Sequence, residues 1–328
     1  IIITLLLLII GFIRKIKIIA LNKKRKTVLS DSDFKNQRRD FIKMAALGAG
    51  AIPFAASVYS FSQGAFRFIV RKQKIYLKNF PVSMNGLRVC QISDIHAGFI
   101  TNNRKFNEGI SILLDQKPQI IFFTGDLVSN DSSEVNDVYE ILSRIEAPLG
   151  VFSVLGNHDY GEYATWMTDE ERKIDVEKMI SIQRSMGWKL LMNENAMIDK
   201  DIAIVGTENW GDISRFPKKA DMTKALANTE SASIKLLLTH DPSFWNLKIL
   251  NHYKEIQMTF SGHTHAFQFG IDMFGKKWSP AQYLYPTWDG LYKKNEQYLY
   301  VNRGMGNAGF SGRLGMWPEI AVFDFYRL

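Results

Sequence analysis

Asp94 and His96, Asp126, Asn157 and His158, His240, and the pair His263 and His265 are the residues of this 328-residue chain whose types could do chemistry together. The chain has six histidines, and only His252 falls outside the set. In an extended segment residues i and i+2 face the same way. Asp94/His96 and His263/His265 can therefore each offer two side chains to one region. Carboxylate, imidazole and amide donors suit Mn, Fe, Zn or related divalent ions and do not make a thiolate site. There are too many donors for one ion and enough for two, with Asp126, central in chain order, able to bridge. Two cations about 3.5–4 Å apart can clamp a phosphate, acidify a water to hydroxide and stabilise the charge that develops during in-line attack. A lone histidine is more often a hydrogen-bonded structural residue; five in such company point to a site.

Each of these groups closes an apolar run. Residues 87–93 read as a buried strand ending at Asp94, 119–124 as a strand ending in Gly125-Asp126, and 151–155 as a strand ending in Gly156-Asn157-His158-Asp159. Strands over 233–239 and 257–260 lead into His240 and into Ser261-Gly262-His263-Thr264-His265. Helices are expected over 104–116, 134–147 (stopped by Pro148) and about 169–186, and further strands over 189–192, 202–205, 297–301 and 319–325. The chain is thus α/β. In open α/β sheets ligands bind beyond the carboxyl ends of strands, so positions far apart in sequence can meet.

The pattern resembles the calcineurin-like metallophosphoesterases, whose motifs run Asp-x-His, Gly-Asp-x-x-Asp, Gly-Asn-His-(Asp/Glu), a lone His, and Gly-His-x-His. Here they stand as Asp94-Ile95-His96, Gly125-Asp126, Gly156-Asn157-His158-Asp159, His240 and Gly262-His263-Thr264-His265. The likeness covers roughly residues 75–328. It looks closest to a membrane-anchored or exported bacterial phosphodiesterase branch, on Phe80-Pro81, Gly86-Leu87-Arg88-Val89, Gly290-Leu291-Tyr292 and Pro318-Glu319-Ile320. The resemblance implies a four-layer α-β-β-α sandwich over 67–328. It implies one metal on Asp94, His96, Asp126 and His265, and a second on Asp126, Asn157, His240 and His263. His158 would not be a ligand but would contact the scissile phosphate and serve the leaving oxygen. The chain departs from the family at Ser129, where the protein phosphatases carry an Asp that orients the histidine corresponding to His158; the Arg after it, which grips phosphate there, is also missing. The partner of His158 is therefore open, with Asp159 adjacent. Ala266-Phe267 stand where the branch commonly has glycines.

Composition sets the remaining bounds. The chain is 46% hydrophobic and 23% charged, as globular proteins are. Cys90 is the single cysteine, which excludes an internal disulfide framework and a Cys-rich zinc module. Net charge is +8. Residues 14–43 hold eleven of the 41 basic residues and three of the 33 acidic ones, and 1–13 hold none, so the remainder carries thirty of each. A basic excess confined to a tether does not point to nucleic acid, and none is expected as a partner.

Residues 1–13 are apolar, start without Met, and read as the end of a transmembrane segment in a longer chain. Residues 14–43 read as a basic cytoplasmic linker whose end, Arg38-Arg39-Asp40-Phe41-Ile42-Lys43, resembles a twin-arginine export signal. The uncharged run 44–66 reads as a transmembrane or signal helix. Either reading puts the domain on the extracytoplasmic face.

Residues 266–292 hold eight aromatics, more than twice the chain average, among them Phe267 and Trp278. They read either as a self-packed hairpin or as an apolar wall for a lipid tail or a bilayer surface. Arg303, Arg313 and Arg104 are candidates to grip a phosphate. The expected function is a two-metal phosphohydrolase cleaving a phosphodiester or pyrophosphate bond, with a lipid-linked substrate favoured by the tether. The alternatives are a phosphomonoesterase of the same fold and a non-catalytic envelope binding module. The branch also holds enzymes that cleave the pyrophosphate of an acylated UDP-sugar, a reaction that needs a cytoplasm-facing site.

Overall fold

The computed structural model describes residues 31–328 apart from 214, 215 and 217. The apolar run 1–13 and the basic residues 14–30 lie outside the described residues. The chain divides into two compact units, 1–58 and 59–328. The described part of the first belongs to one helix, α1 (Asp31–Ser62), in which Arg38 and Arg39 are exposed. The segment Arg38–Phe66 contains an 18-residue window of mean hydropathy 1.6 and is long and apolar enough to cross a membrane. At 1.5 Å per residue it exceeds a hydrocarbon core of about 30 Å.

The second unit is built on two six-stranded sheets. The first contains β1 (Ile69–Leu77), β2 (Leu87–Ile92), β3 (Ile120–Phe123), β4 (Val151–Ser153), β5 (Lys189–Leu190) and β14 (Glu319–Arg327), in the order β1-β14-β2-β3-β4-β5. The second contains β6 (Glu194–Asp199), β7 (Ile202–Gly206), β8 (Ile234–Leu238), β9 (Met258–Ser261), β12 (Gly290–Lys294) and β13 (Gln297–Val301), in the order β12-β13-β9-β8-β7-β6. A separate hairpin pairs β10 (Ile271–Met273) with β11 (Lys276–Trp278). Strands β2, β3, β4 and β5 are parallel, as are β7, β8, β9 and β13.

Strand side chains alternate between faces, and here both faces are apolar. Val89, Phe122, Phe152, Leu236 and Phe260 fill the space between the sheets. Their neighbours Cys90, Ile121 and Phe123 face outward onto Phe106, Ile110 and Leu113 of α2 (Asn103–Asp115) and Met179 of α3 (Asp169–Ser185). On the other side Val205 and Leu237 pack under Phe244, Trp245 and Ile249. The result is the four-layer α-β-β-α sandwich. Strands covered on both faces read as unbroken apolar runs, which is why their carboxyl ends could be located from sequence.

The expected helix over 134–147 is cut to a 3₁₀ turn (Ser132–Val135) and one helical turn (Tyr139–Leu142). Glu134 is spent on the preceding loop, where it accepts from the main-chain N–H groups of Ser129 and Asn130. Side chains that bond nearby backbone compete with helix in this way.

Candidate metal centre

The parallel strands deliver their terminal residues to one place. His96 Nε2 lies 3.1 Å from His265 Nε2, which is 3.3 Å from Asp94 Oδ1. Asp126 Oδ2 is 3.1 Å from His240 Nε2 and 3.6 Å from His96 Nε2. His263 Nδ1 is 3.2 Å from His240 Nε2. Three triads, Asp94/His96/His265, His96/Asp126/His158 and Asp126/His240/His263, each keep one donor atom per residue within 4.8 Å of the others.

The other nitrogen of each ring fixes its orientation. His240 Nδ1 donates to the Thr124 carbonyl at 2.7 Å, which leaves Nε2 directed at Asp126 Oδ2. His158 Nδ1 donates to the Ser129 carbonyl at 2.6 Å, and His96 Nδ1 meets Ser129 Oγ at 3.1 Å. His263 Nε2 meets Tyr285 Oη at 2.8 Å, and His265 Nδ1 meets Arg313 Nη2 at 3.1 Å. Carbonyl partners of this kind set tautomer and ring angle in metal sites, whereas Arg313, whose Nη2 already donates to the Arg303 and Gly306 carbonyls, fixes only the position of the His265 ring. Asn157 gives its amide N–H to Tyr163 Oη at 2.9 Å, and its buried Oδ1 has no hydrogen-bond partner.

The backbone is strained to bring these groups together. Asp94, His96, Asp126, His263 and His265 all have φ between +48° and +73°. Each such residue costs of order 1–3 kcal/mol and persists only where its surroundings hold it there. The holding bonds are present: His263 N–H donates to Asp94 Oδ1 at 2.9 Å and His158 N–H to Asp126 Oδ1 at 2.9 Å. Asp159 collects the N–H groups of Asp126, Leu127, Val128 and Gly156 at 2.7–3.2 Å. It therefore braces the loop and does not orient His158. At Gly262 a Cβ would stand 2.1 Å from Asp94 Oδ2, so only glycine lets the two strand ends approach.

Electrostatics point the same way. Burial would raise Asp94, but His265 and His240 outweigh it and hold the carboxyl down at about 2. Burial pushes His96 down to about 3 and lowers His263 and His265. Burial would also lower His240, yet Asp126 and Asp94 overcome it and lift that imidazole to about 10. Ionised carboxylates and the neutral imidazoles of His96, His263 and His265 are the states that bind cations, whereas His240, held protonated by Asp126, must give up its Nε2 proton to a bound cation. The donor set fits divalent metal: converging imidazole nitrogens, two carboxylates and an orphaned amide oxygen, all buried except the half-buried His263.

His96, Asp126, Asn157, His158, His263 and His265 floor a pocket of about 230 Å³ whose walls include Tyr163, Ile213, Phe216, Phe267, Leu284 and Tyr285, while Asp94 and His240 are fully buried outside its lining. The structure thus brings together Asp94, His96, Asp126, Asn157, His158, His240, His263 and His265, with Phe267 on the wall. Arg303 and Trp278 stand outside that lining. The Arg303 guanidinium is buried and bonded to Asp289 at 2.7 and 2.9 Å and to Asp272 at 2.6 Å. Trp278 lies on β11 against Phe269. Arg104 is on the surface beside Glu108, and Arg313 is buried among main-chain carbonyls. Sequence reasoning missed the Ser129 carbonyl, Tyr163 and Phe216. Tyr163 stacks on His158 with ring centroids 3.9 Å apart.

Residues 87–267 match the family model of the calcineurin-like phosphoesterases. The chain belongs to that family. Among its relatives the phosphoesterase is 26% identical over 299 residues to the uncharacterized metallophosphoesterase YkuE of Bacillus subtilis, a match covering 88% of this chain and 97% of that one. It is 29% identical over 257 residues to a transmembrane protein with metallophosphoesterase domain from Danio rerio, covering 75% of this chain but 55% of the fish protein. It is 27% identical over 279 residues to the UDP-2,3-diacylglucosamine pyrophosphatase LpxG of Chlamydia trachomatis, covering 68% of this chain and 79% of that protein. The phosphoesterase is accordingly a hydrolase acting on phosphoric ester bonds, and its family implies divalent metal ions.

Proposed function

We propose that the protein is a two-metal hydrolase of a phosphodiester or pyrophosphate bond in a lipid-linked substrate, held by α1 at the extracytoplasmic face of a membrane. The observation that carries the reading is the convergence of the ligand set, most of it on the floor of a pocket with apolar walls. The lipid link draws further support from the membrane-length helix and from the relative named for cleaving a diacylated sugar nucleotide. The orientation rests on the basic stretch before the helix.

In this reading Asp94, His96, Asp126 and His265 hold one ion (Mn, Fe or Zn), and Asp126, Asn157, His240 and His263 the other. Two ions at such a site polarise the phosphoryl oxygen and lower the pKa of a water. The protein supplies the rest. Asp126 lies between the two sets and keeps them in register. His158, its Nδ1 tied to the Ser129 carbonyl, has Nε2 left for the pocket it lines, where a proton can pass to the leaving oxygen. The wall residues exclude water and receive apolar parts of the substrate.

Purified protein loaded with Mn²⁺ is expected to hydrolyse bis-p-nitrophenyl phosphate faster than the monoester, to lose turnover on chelation and to regain it on adding Mn²⁺. No turnover at full metal loading overturns the catalytic reading, and a faster monoester reaction overturns the choice of bond. Ser129→Ala should separate the two roles of that residue. It removes the hydroxyl against His96 but keeps the carbonyl under His158, so metal affinity should fall about 10-fold or more while turnover at saturating metal changes little. Titration of metal against turnover checks it.

A further inference from the structure

We infer that the β10–β11 hairpin is a second membrane contact, a lipid-facing element beside the point where the chain leaves the domain for the bilayer. The hairpin has two unlike faces. Asp272 pairs across it with Lys277, and both point to the body: Asp272 is bonded to Arg71 and Arg303, and Lys277 Nζ is 2.7 Å from the buried Asp289. Side chains alternate along a strand, so Ile271, Met273 and Trp278 fall on the opposite face. They are 55%, 57% and 39% exposed, and Phe274 at the turn is 95% exposed. The ion pairs prevent the hairpin from rolling over to bury this face. Apolar residues at a pinned turn, with the exposed Lys276 beside them, suit the boundary between acyl chains and anionic headgroups.

The neighbours of the hairpin say what covers it. Gly270 N–H donates to the Leu314 carbonyl at 3.0 Å and Leu314 N–H to the Gln268 carbonyl at 2.8 Å, so the foot of the hairpin is stitched to residues 313–315. The same loop receives the end of α1. Arg313 N–H approaches the Ser60 carbonyl at 3.4 Å, Tyr59 packs edge-on against Trp317, and Phe61 against Phe310. The membrane-length segment therefore joins the domain at residues 59–61, within a few residues of the hairpin's foot, and chain connection alone keeps a bilayer holding that segment within reach. This inference rests on reading α1 as membrane-spanning and does not depend on the chemistry of the site.

The test uses the full chain reconstituted in vesicles of 3:1 phosphatidylcholine and phosphatidylglycerol. Cys90 is fully buried, so Phe274→Cys and, as control, Glu296→Cys on the exposed β12–β13 turn can each carry an environment-sensitive dye. Nitroxide on the lipid chains should quench the dye at 274 at least threefold more than at 296, and aqueous iodide should do the reverse. Equal quenching at both positions overturns the inference. Replacing Ile271, Met273 and Phe274 together by Ser should cut turnover of a vesicle-borne phosphodiester about 10-fold and leave bis-p-nitrophenyl phosphate within twofold. Equal effects on both substrates also overturn it. A protein without turnover still gives the quenching result, so failure of the proposed function is read separately.

Discussion

Replacing His158 by Ala should lower kcat by about 10²–10⁴-fold, the range for a lost proton donor, and leave the bound metal in place. Every hundredfold is about 2.7 kcal/mol of transition-state stabilisation. The expectation rests on geometry. The Nδ1 of His158 is taken by the Ser129 carbonyl, the ring is stacked on Tyr163, and only Nε2 is left to act in the pocket. The leaving group provides the sharper check. A p-nitrophenolate departs without help, so the loss should be smaller for bis-p-nitrophenyl phosphate than for a diester that expels an alkoxide. Metal analysis and the two rate series settle the matter together. Loss of metal from the variant would make His158 a ligand, as its place in the His96/Asp126 triad allows. A loss that is uniform across leaving groups would remove its role as an acid.

The central strands were legible because they are buried on both faces. Val89, Ile121 and Leu237 have no solvent side, so their segments are continuous apolar runs whose ends stand out. The strands that escaped notice are edges. β1 carries Arg71, Lys72 and Lys74, β6 reads Glu194-Asn195-Ala196-Met197-Ile198-Asp199, and β12 ends in Lys293-Lys294. Charge on an edge blocks further pairing and hides the strand from any search for apolar runs. At the site the types and order of the ligands were readable, because a residue that binds a cation must be a carboxylate, imidazole or amide. The left-handed backbone beneath five of them was not, since nothing in the letters Asp and His announces φ near +50°. The partner of His158 was hidden for a related reason. Any residue can supply a main-chain carbonyl, so a search among acidic side chains stopped at Asp159, whose carboxylate serves four backbone N–H groups instead. Arg303 shows the converse problem, because a guanidinium looks the same in sequence whether it faces a pocket or a buried aspartate.

Arg313 supplies the second large effect. Its side chain is fully buried, yet the oxygens it donates to are main-chain carbonyls and not carboxylates. Nε and Nη2 donate to the Gly306 carbonyl at 2.9 and 2.6 Å, Nη2 to Arg303 at 2.9 Å, and Nη1 to Met316 at 3.2 Å, while Nη2 also meets His265 Nδ1. Burial pulls the guanidinium down to about 9, with Asp94 opposing, so it is still a cation at pH 7. One side chain thus ties the strand end after β13, the loop before β14 and a proposed metal ligand into a single unit. Arg313→Met keeps the volume and removes every donor. It leaves three buried carbonyls unpaired at about 1–3 kcal/mol each, so a loss of about 3 kcal/mol or more is expected. For a unit of this size that is a fall of about 6–12 °C in Tm. Because the loop packed against His265 loosens as well, metal affinity should drop about 10-fold. Arg313→Lys retains the charge but not the fork, and it should recover part of the stability and little of the affinity. Calorimetry of metal-free and metal-loaded protein, with a metal titration, reads the two effects apart. A methionine variant that matches the parent in both would show that the buried cation holds neither the loop nor His265.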